Sequence, residues 1–372
     1  MHVPMKMAAM DGNSGFDRMK EVKEFDESKI GVRGLSDSGI TSIPRFFIHP
    51  LDSLPCNNLN SSTNTTSIPL LDLANLNSPT HRPKIIRQIK DAASTWGFFQ
   101  VINHGIPLAI LDETIRSITA FHEQPHEIKA KHYRRQEHHG VMYTSNNDLY
   151  RSKAACWHDS LQVYMAPEEL KVEEDIPDIC RKEIIAWDFH ASKVAEALFE
   201  LLAEGLGLEA GKFKELGFMK ARLFLGHCYP YCPQPDLTVG IKSHTDAGLT
   251  VLLQNQVGGL QVKHGSEWVD VKPLPGALTV NIGDFIQIIS NGEYQSVEHR
   301  VLANSSKEPR ISVLSFNNVG GWKESDEFGP FPELLSAEKP ALYRGFTVPE
   351  FHQSFYSKGL DGKNIVERVT LH

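Results

Sequence analysis

The chain has 372 residues, with 38 Lys and Arg against 46 Asp and Glu and a formal net charge of −8. An acidic balance without a basic stripe argues against nucleic acid as a partner, and no apolar run reaches the about 18 residues that a membrane-spanning helix needs. The N-terminus lacks the charged-then-apolar pattern of a secretory signal and the five cysteines form an odd set without zinc-finger spacing, so the expectation is a cytoplasmic, monomeric protein with reduced thiols that acts on a small molecule.

In chain order, residues 1–24 show no convincing periodicity and are expected to form a flexible tail. The polar run Asn57 to Ser67 reads as a linker or surface loop. It contains two glycosylation-type triplets, at Asn60 and Asn64, which are accidental in a chain without a secretory route. From Arg82 to Ala93 the apolar residues Ile85, Ile86, Ile89 and Ala93 recur at helical spacing, and Trp96 to Ile102 reads as a buried strand. Leu108 to Phe121 and Ile184 to Leu206 are further helices, the second carrying Val194, Leu198 and Leu201 on one face with Gly205 and Gly207 near its end. The pattern then changes to short β-type runs: Leu249 to Leu253, Leu260 to Val262, Trp268 to Val271, Leu278 to Ile282 and Ile311 to Phe316, separated by Gly, Pro, Asn and Asp. The expected fold is mainly β with α: a double-stranded β-helix, or jelly roll, with an N-terminal helical region. Its divisions are expected at 1–24 (tail), 25–215 (N-terminal α/β region), 216–330 (jelly-roll core) and 331–372 (C-terminal helical segment).

The chemistry is concentrated in three short stretches. His244 and Asp246 are two residues apart, the spacing that puts side chains on one side of a strand, with Thr245 turned away. His299 follows after enough intervening strands to return to them, and Arg310 and Ser312 repeat the i, i+2 spacing shortly beyond. Two histidines and one carboxylate on a single face are the ligand set for non-heme Fe(II), leaving open positions for a chelating 2-oxo acid and for dioxygen. Fe(II) with one carboxylate and a 2-oxo diacid carries a net negative charge that a low-dielectric pocket disfavours. Arg310 supplies the compensating cation, its planar fork suits a carboxylate, and the Ser312 hydroxyl adds a donor. A lone His-x-Asp is weak as a signal, but three features in register are specific.

The chain resembles the plant 2-oxoglutarate/Fe(II)-dependent dioxygenases, within them the group named for its similarity to 1-aminocyclopropane-1-carboxylate oxidase. The resemblance runs from about Phe25 to the C-terminus. Its markers are Ile68-Pro69-Leu70-Leu71-Asp72-Leu73, the stretch Trp96 to Gly105, Tyr229-Pro230 with Cys232-Pro233-Gln234-Pro235, Pro275-Gly276-Ala277-Leu278 and Asn281-Ile282-Gly283-Asp284. It implies that His244, Asp246 and His299 are the iron ligands, that Arg310 and Ser312 hold the distal carboxylate of 2-oxoglutarate, and that Tyr229 supports the cosubstrate from the opposite wall. His227, Cys228 and Tyr231 depart from the commoner asparagine, tyrosine and proline at those positions; His227 can still donate a hydrogen bond to the cosubstrate, and Cys228 and Tyr231 read as changes in packing. The segment after Asp246 is one residue shorter than the usual pattern.

By that resemblance the cofactors are Fe(II), 2-oxoglutarate and dioxygen, with ascorbate a further candidate as reductant. The expected reaction oxidises an organic substrate while 2-oxoglutarate is converted to succinate and carbon dioxide. Hydroxylation is the first expectation; demethylation, desaturation, epoxidation and ring closure remain open. The substrate is expected to be a plant specialised metabolite, an alkaloid, terpenoid or phenolic, contacted by Phe316, which matches a substrate-facing family position, and by Tyr143 and Trp157 in the variable middle segment. Three alternatives stay open: an ascorbate-dependent oxidase of a small amino acid, a non-catalytic small-molecule binding module, and a zinc hydrolase, which would have no use for the Arg310 anchor.

Overall fold

The computed structural model describes residues 16–55, 67–135, 140–167, 175–357 and 364–371. Its centre is a pair of sheets. Twelve strands build them: β1 (Leu70–Asp72), β2 (Phe98–Ile102), β3 (Val141–Thr144), β4 (Asp159–Ala166), β5 (Phe218–Tyr229), β6 (Val239–His244), β7 (Leu249–Gln254), β8 (Leu260–His264), β9 (Glu267–Asp270), β10 (Leu278–Ile282), β11 (His299–Leu302) and β12 (Arg310–Val319). Eight form the larger sheet in the order β1-β2-β10-β7-β12-β5-β4-β3, and β6-β11-β8-β9 form the smaller one. All neighbours pair antiparallel except β1 and β2. This mainly β architecture with flanking helices is the jelly roll expected from the alternating short runs.

Period-two alternation divides the larger sheet into two faces. On β12, Ile311 and Val313 join a cluster with Ile85 and Ile89 of the helix Arg82–Thr95, Ile118 and Phe121 of the helix Leu108–Glu123, and Leu198 of the helix Arg181–Gly205. Leu314 points the other way, into a second cluster with Leu225, Tyr229 and Leu252 that meets Ile241, Leu260, Val262 and Val301 of the smaller sheet. One face is therefore a helix-covered core, and the other faces the space between the sheets. The larger sheet also crosses the boundary drawn at 215/216, since β1 to β4 come from the N-terminal region and β5, β7, β10 and β12 from the core.

Part of the stretch expected as a tail over 1–24 is helical. Arg18–Ser28 is a helix whose N-cap, Asp17, accepts a hydrogen bond from the Lys20 N–H, and a second short helix runs Gly31–Asp37. Val22 and Phe25 of the first helix pack with Phe46, Phe47 and Trp157. Val22 and Phe25 are the only buried residues of this strongly charged segment, too few for a periodic apolar signal, so docking rather than amphipathicity holds the helix. Residues 1–15 and 56–66 lie outside the described residues, and with them nearly all of the expected linker. His138 and His139, expected as solvated loop residues, also lie outside the described residues.

β3, β4 and β5 were not among the expected strands. Their inward positions carry polar groups, Ser160 and Gln162 on β4 and His227 on β5, which break the apolar alternation. Toward the C-terminus, helices run Val348–Ser357 and Asn364–Val369. No helix among the described residues is long and apolar enough to cross a membrane.

A candidate metal centre and cosubstrate pocket

β6 ends at His244, and β11 begins at His299 directly opposite it in register. Asp246 lies just past the strand, in the turn leading to β7. That turn is tight: a Cβ on Gly248 would stand 2.4 Å from the Asn317 carbonyl oxygen, so only glycine lets the chain pass there. One ligand atom each from His244, Asp246 and His299 lies within 4.8 Å of the others, and Asp246 Oδ1 is 3.7 Å from the Nε2 of both histidines. Thr245 turns away, as expected, its hydroxyl donating to Asp284 at 3.0 Å.

The surroundings orient these side chains for metal binding. Asp246 Oδ2 accepts hydrogen bonds from Thr250 Oγ1 and Asn281 Nδ2, both at 2.7 Å, which leaves Oδ1 toward the histidines. His244 Nδ1–H donates to the Lys242 carbonyl at 2.9 Å, so the Nε2 lone pair is the free one. Burial, reinforced by the facing His299, pushes the His244 pKa down to about 4, and the ring is neutral, as a ligand must be. Burial alone would raise the Asp246 carboxyl; His299 and His244, with the bonds from Thr250 and Asn281, outweigh it and hold the group below its ordinary value. A carboxylate beside two imidazoles is a donor set suited to a divalent cation.

Arg310 opens β12 opposite Tyr229, and Ser312 lies opposite His227. The guanidinium is 1 % exposed. Its Nη2 donates to Gln254 Oε1 at 2.7 Å, and its Cζ lies 4.9 Å from the centre of the Tyr229 ring. Nε and Nη1 have no hydrogen-bond partner among the described residues. Burial lowers the arginine pKa, but from a value so high that the group stays charged. A buried cation with two unused donors is costly by itself and fits an incoming carboxylate. His227 is 7 % exposed, its Nδ1 2.6 Å from Ser160 Oγ, and burial pushes its pKa well below the ordinary value.

The structure thus brings His244, Asp246 and His299 together, and sets Arg310, Ser312, Tyr229 and His227 on the inward face of adjoining strands. Phe316, half-buried, extends the same row and packs against the inward cluster. The other two expected substrate contacts are placed elsewhere, which corrects that expectation. Tyr143 faces the helices: its ring meets Phe121 at 5.7 Å and its hydroxyl donates to Asp159 at 3.0 Å. Trp157 packs on Phe47 at 4.9 Å beside the N-terminal helix, its indole N–H donating to the Tyr231 carbonyl. Both are fully buried in apolar clusters. Gln254 and Thr250 were not singled out, and Asn281 was named only within a family marker, although Thr250 and Gln254 are the polar members of the inward series Thr250, Leu252, Gln254 and were open to an alternation argument.

Two histidines, a hydrogen-bonded carboxylate and a buried arginine with unused donors, inside a jelly roll, define a non-heme iron oxygenase site. Comparison with known proteins agrees. Residues 220–319 match the 2OG-Fe(II) oxygenase superfamily, and residues 68–180 match the non-haem dioxygenase in morphine synthesis N-terminal family. Two Arabidopsis thaliana proteins, 1-aminocyclopropane-1-carboxylate oxidase homolog 6 and homolog 11, are 47% and 46% identical to it, covering 96% and 93% of this chain and 99% and 96% of their own lengths. The chain belongs to the plant 2-oxoglutarate/Fe(II)-dependent dioxygenases, in the group of 1-aminocyclopropane-1-carboxylate oxidase homologues. Among solved structures, JOX2 in complex with 2OG, Fe and JA superposes with a TM-score of 0.80 at 31% identity, over 92% of this chain and 98% of its own. The rice dioxygenase for auxin oxidation gives 0.70 at 25%, over 82% and 100%. The protein is accordingly an oxidoreductase that uses Fe(II), 2-oxoglutarate and dioxygen.

Proposed function

We propose that the chain oxidises, most directly by hydroxylation, a mainly apolar plant specialised metabolite of the alkaloid, terpenoid or phenolic type. His244, Asp246 and His299 hold the iron. Arg310 and Ser312 hold the distal carboxylate of 2-oxoglutarate against Tyr229, with His227 donating alongside. Bound there, iron and 2-oxoglutarate together supply the oxidising power of the reaction. The residues fix the cosubstrate's orientation, neutralise its charge and exclude water. Phe316 contacts the organic substrate.

The observation that carries the reading is the pair of unused Arg310 donors, fully buried on the same inward face as the apolar Leu225, Leu314 and Phe316. Such a face offers contact area to a small apolar molecule. The likeness to a dioxygenase for auxin oxidation and to a structure holding JA adds that similar folds accept small organic molecules. The enzyme is proposed to work as a monomer in the cytoplasm, checked by light scattering and by imaging a fluorescent fusion.

Succinate release, followed with Fe(II) and 2-oxoglutarate in the presence and absence of a metabolite panel, tests the substrate class. Stimulation by apolar ring compounds is expected. Stimulation by small charged amino acids alone would overturn it.

A further inference from the structure

On the inward wall beside Tyr229 stands a second histidine to which nothing above gives a role. His158 precedes β4, two residues before the inward-facing Ser160, and is 7 % exposed. Its ring lies 5.4 Å from that of His227 and 5.6 Å from that of Tyr229. Its Nδ1 is 2.7 Å from the Gly240 carbonyl oxygen, which can only accept, so Nδ1 carries the hydrogen. Gly240 is itself close against Tyr229, where a Cβ would meet the ring at 2.9 Å. The contact is therefore built into the wall. Burial keeps the His158 pKa below its ordinary value, and a neutral ring with hydrogen on Nδ1 keeps its lone pair on Nε2. No described residue hydrogen-bonds that Nε2, and it is not among the fully enclosed side-chain atoms left without a partner. It is an acceptor presented to the interior.

We propose that His158 is a substrate-binding residue whose Nε2 accepts a hydrogen bond from a hydroxyl or N–H group of the organic substrate. This deepens the proposed substrate reading and rests on it: the molecule is mainly apolar but carries one donor on the side that meets the Tyr229 wall. Phenols and N–H heterocycles fit this description, and their O- or N-methylated counterparts do not. The cosubstrate is not the partner for this nitrogen, because 2-oxoglutarate at neutral pH offers only acceptors and a lone pair repels them.

The test uses the full chain, labelled with nitrogen-15 histidine and loaded with Zn(II) and 2-oxoglutarate, and two probes of the same ring system, 2-naphthol and 2-methoxynaphthalene. The His158 resonances are assigned as those lost in His158→Asn, whose side-chain amide can still donate to the Gly240 carbonyl but does not reach the Nε2 position. The expected result is an unprotonated Nε2 that shifts with 2-naphthol and not with 2-methoxynaphthalene, with about tenfold tighter binding of 2-naphthol that falls to within about twofold in His158→Asn. A protonated Nε2, an Nε2 resonance that 2-naphthol leaves unmoved, or a preference that survives in His158→Asn would each overturn the proposal. Calorimetric binding of 2-oxoglutarate to the wild type and to Arg310→Lys is measured on the same preparations. Failure of the cosubstrate site would appear there, separately from any result at His158.

Discussion

Replacing Arg310 by Met separates a functional arginine from a structural one, because the two roles predict different stabilities. Arg310 is 1 % exposed and leaves Nε and Nη1 without partners among the described residues. Two unsatisfied buried donors cost about 2 to 6 kcal/mol together, at roughly 1 to 3 each. Methionine has a similar reach and no polar atoms. The substitution gives up the 2.7 Å bond to Gln254 and the contact with the Tyr229 ring, which together are worth roughly 2 to 5 kcal/mol. Without cosubstrate the variant should therefore be about as stable as the parent. Adding 2-oxoglutarate at a hundredfold excess over its Kd should stabilise the parent by about 2.7 kcal/mol and leave Arg310→Met unchanged. Calorimetric melting of the anaerobic metal-loaded proteins, with and without 2-oxoglutarate, reads both quantities. The reasoning fails if the variant loses more than about 2 kcal/mol without cosubstrate, as removal of a well-satisfied buried group would cause, or if 2-oxoglutarate stabilises it as much as the parent.

Three further outcomes are expected. Asn281→Ala removes one of the two donors that hold Asp246 Oδ2, so anaerobic Fe(II) titration should show an affinity about 10 to 100 times weaker; unchanged affinity would remove Asn281 from the account. His122 is buried at 1 % exposure on the helix side, and burial lowers its pKa to about 4. Its ring is neutral in both states at pH 7, whereas below the ordinary value of 6.5 the unfolded chain takes up a proton that the folded chain refuses. Stability is thus lost as pH falls from 6.5 toward 4, by about 3 kcal/mol in all. Denaturant unfolding of His122→Gln at pH 7 and pH 5 should show a loss smaller than the parent's by about 2 kcal/mol, and equal losses would refute the assignment. Phe316→Ala should weaken the stimulation of succinate release by the organic substrate or move the position oxidised, with 2-oxoglutarate affinity unchanged; parent-like product distribution and affinity for substrate would place Phe316 outside the substrate pocket.

How much was legible in the sequence followed from where each side chain's information resides. The candidate iron ligands were readable because metal geometry imposes local spacing: His244 and Asp246 are close in sequence, and the return of His299 needed only that intervening strands exist. The register supplies the rest, pairing His299 with His244. The core strands β7, β8, β9, β10 and β12 were readable because their runs are short, apolar and bounded by turn residues. β4 and β5 were not, since inward Ser160, Gln162 and His227 look like loop chemistry until a cavity requires polar residues on one face of a strand. The docked N-terminal helix was illegible for the complementary reason: its contacts are with Phe46, Phe47 and Trp157, residues that no local period connects to it.

The misplaced substrate residues follow the same logic. Tyr143 and Trp157 are large aromatics in the variable segment, and composition favoured them for a pocket. On a strand, however, function is decided by parity, and parity requires the register. Tyr143 pairs with Leu161, whose side chain faces the helices, whereas its neighbour Thr144 pairs with Ser160 on the cavity side. A shift of one residue would exchange the two. Asp159 shows what fixes the register: it accepts from the Val32 and Arg33 backbone N–H groups and from the hydroxyls of Tyr143 and Ser145, all on the helix side of β4. A carboxylate so fully committed holds that face inward to the helices, and by alternation it turns His158 and Ser160 toward the cavity. The buried acid on one side of the strand thus selects which polar groups on the other side can meet a substrate.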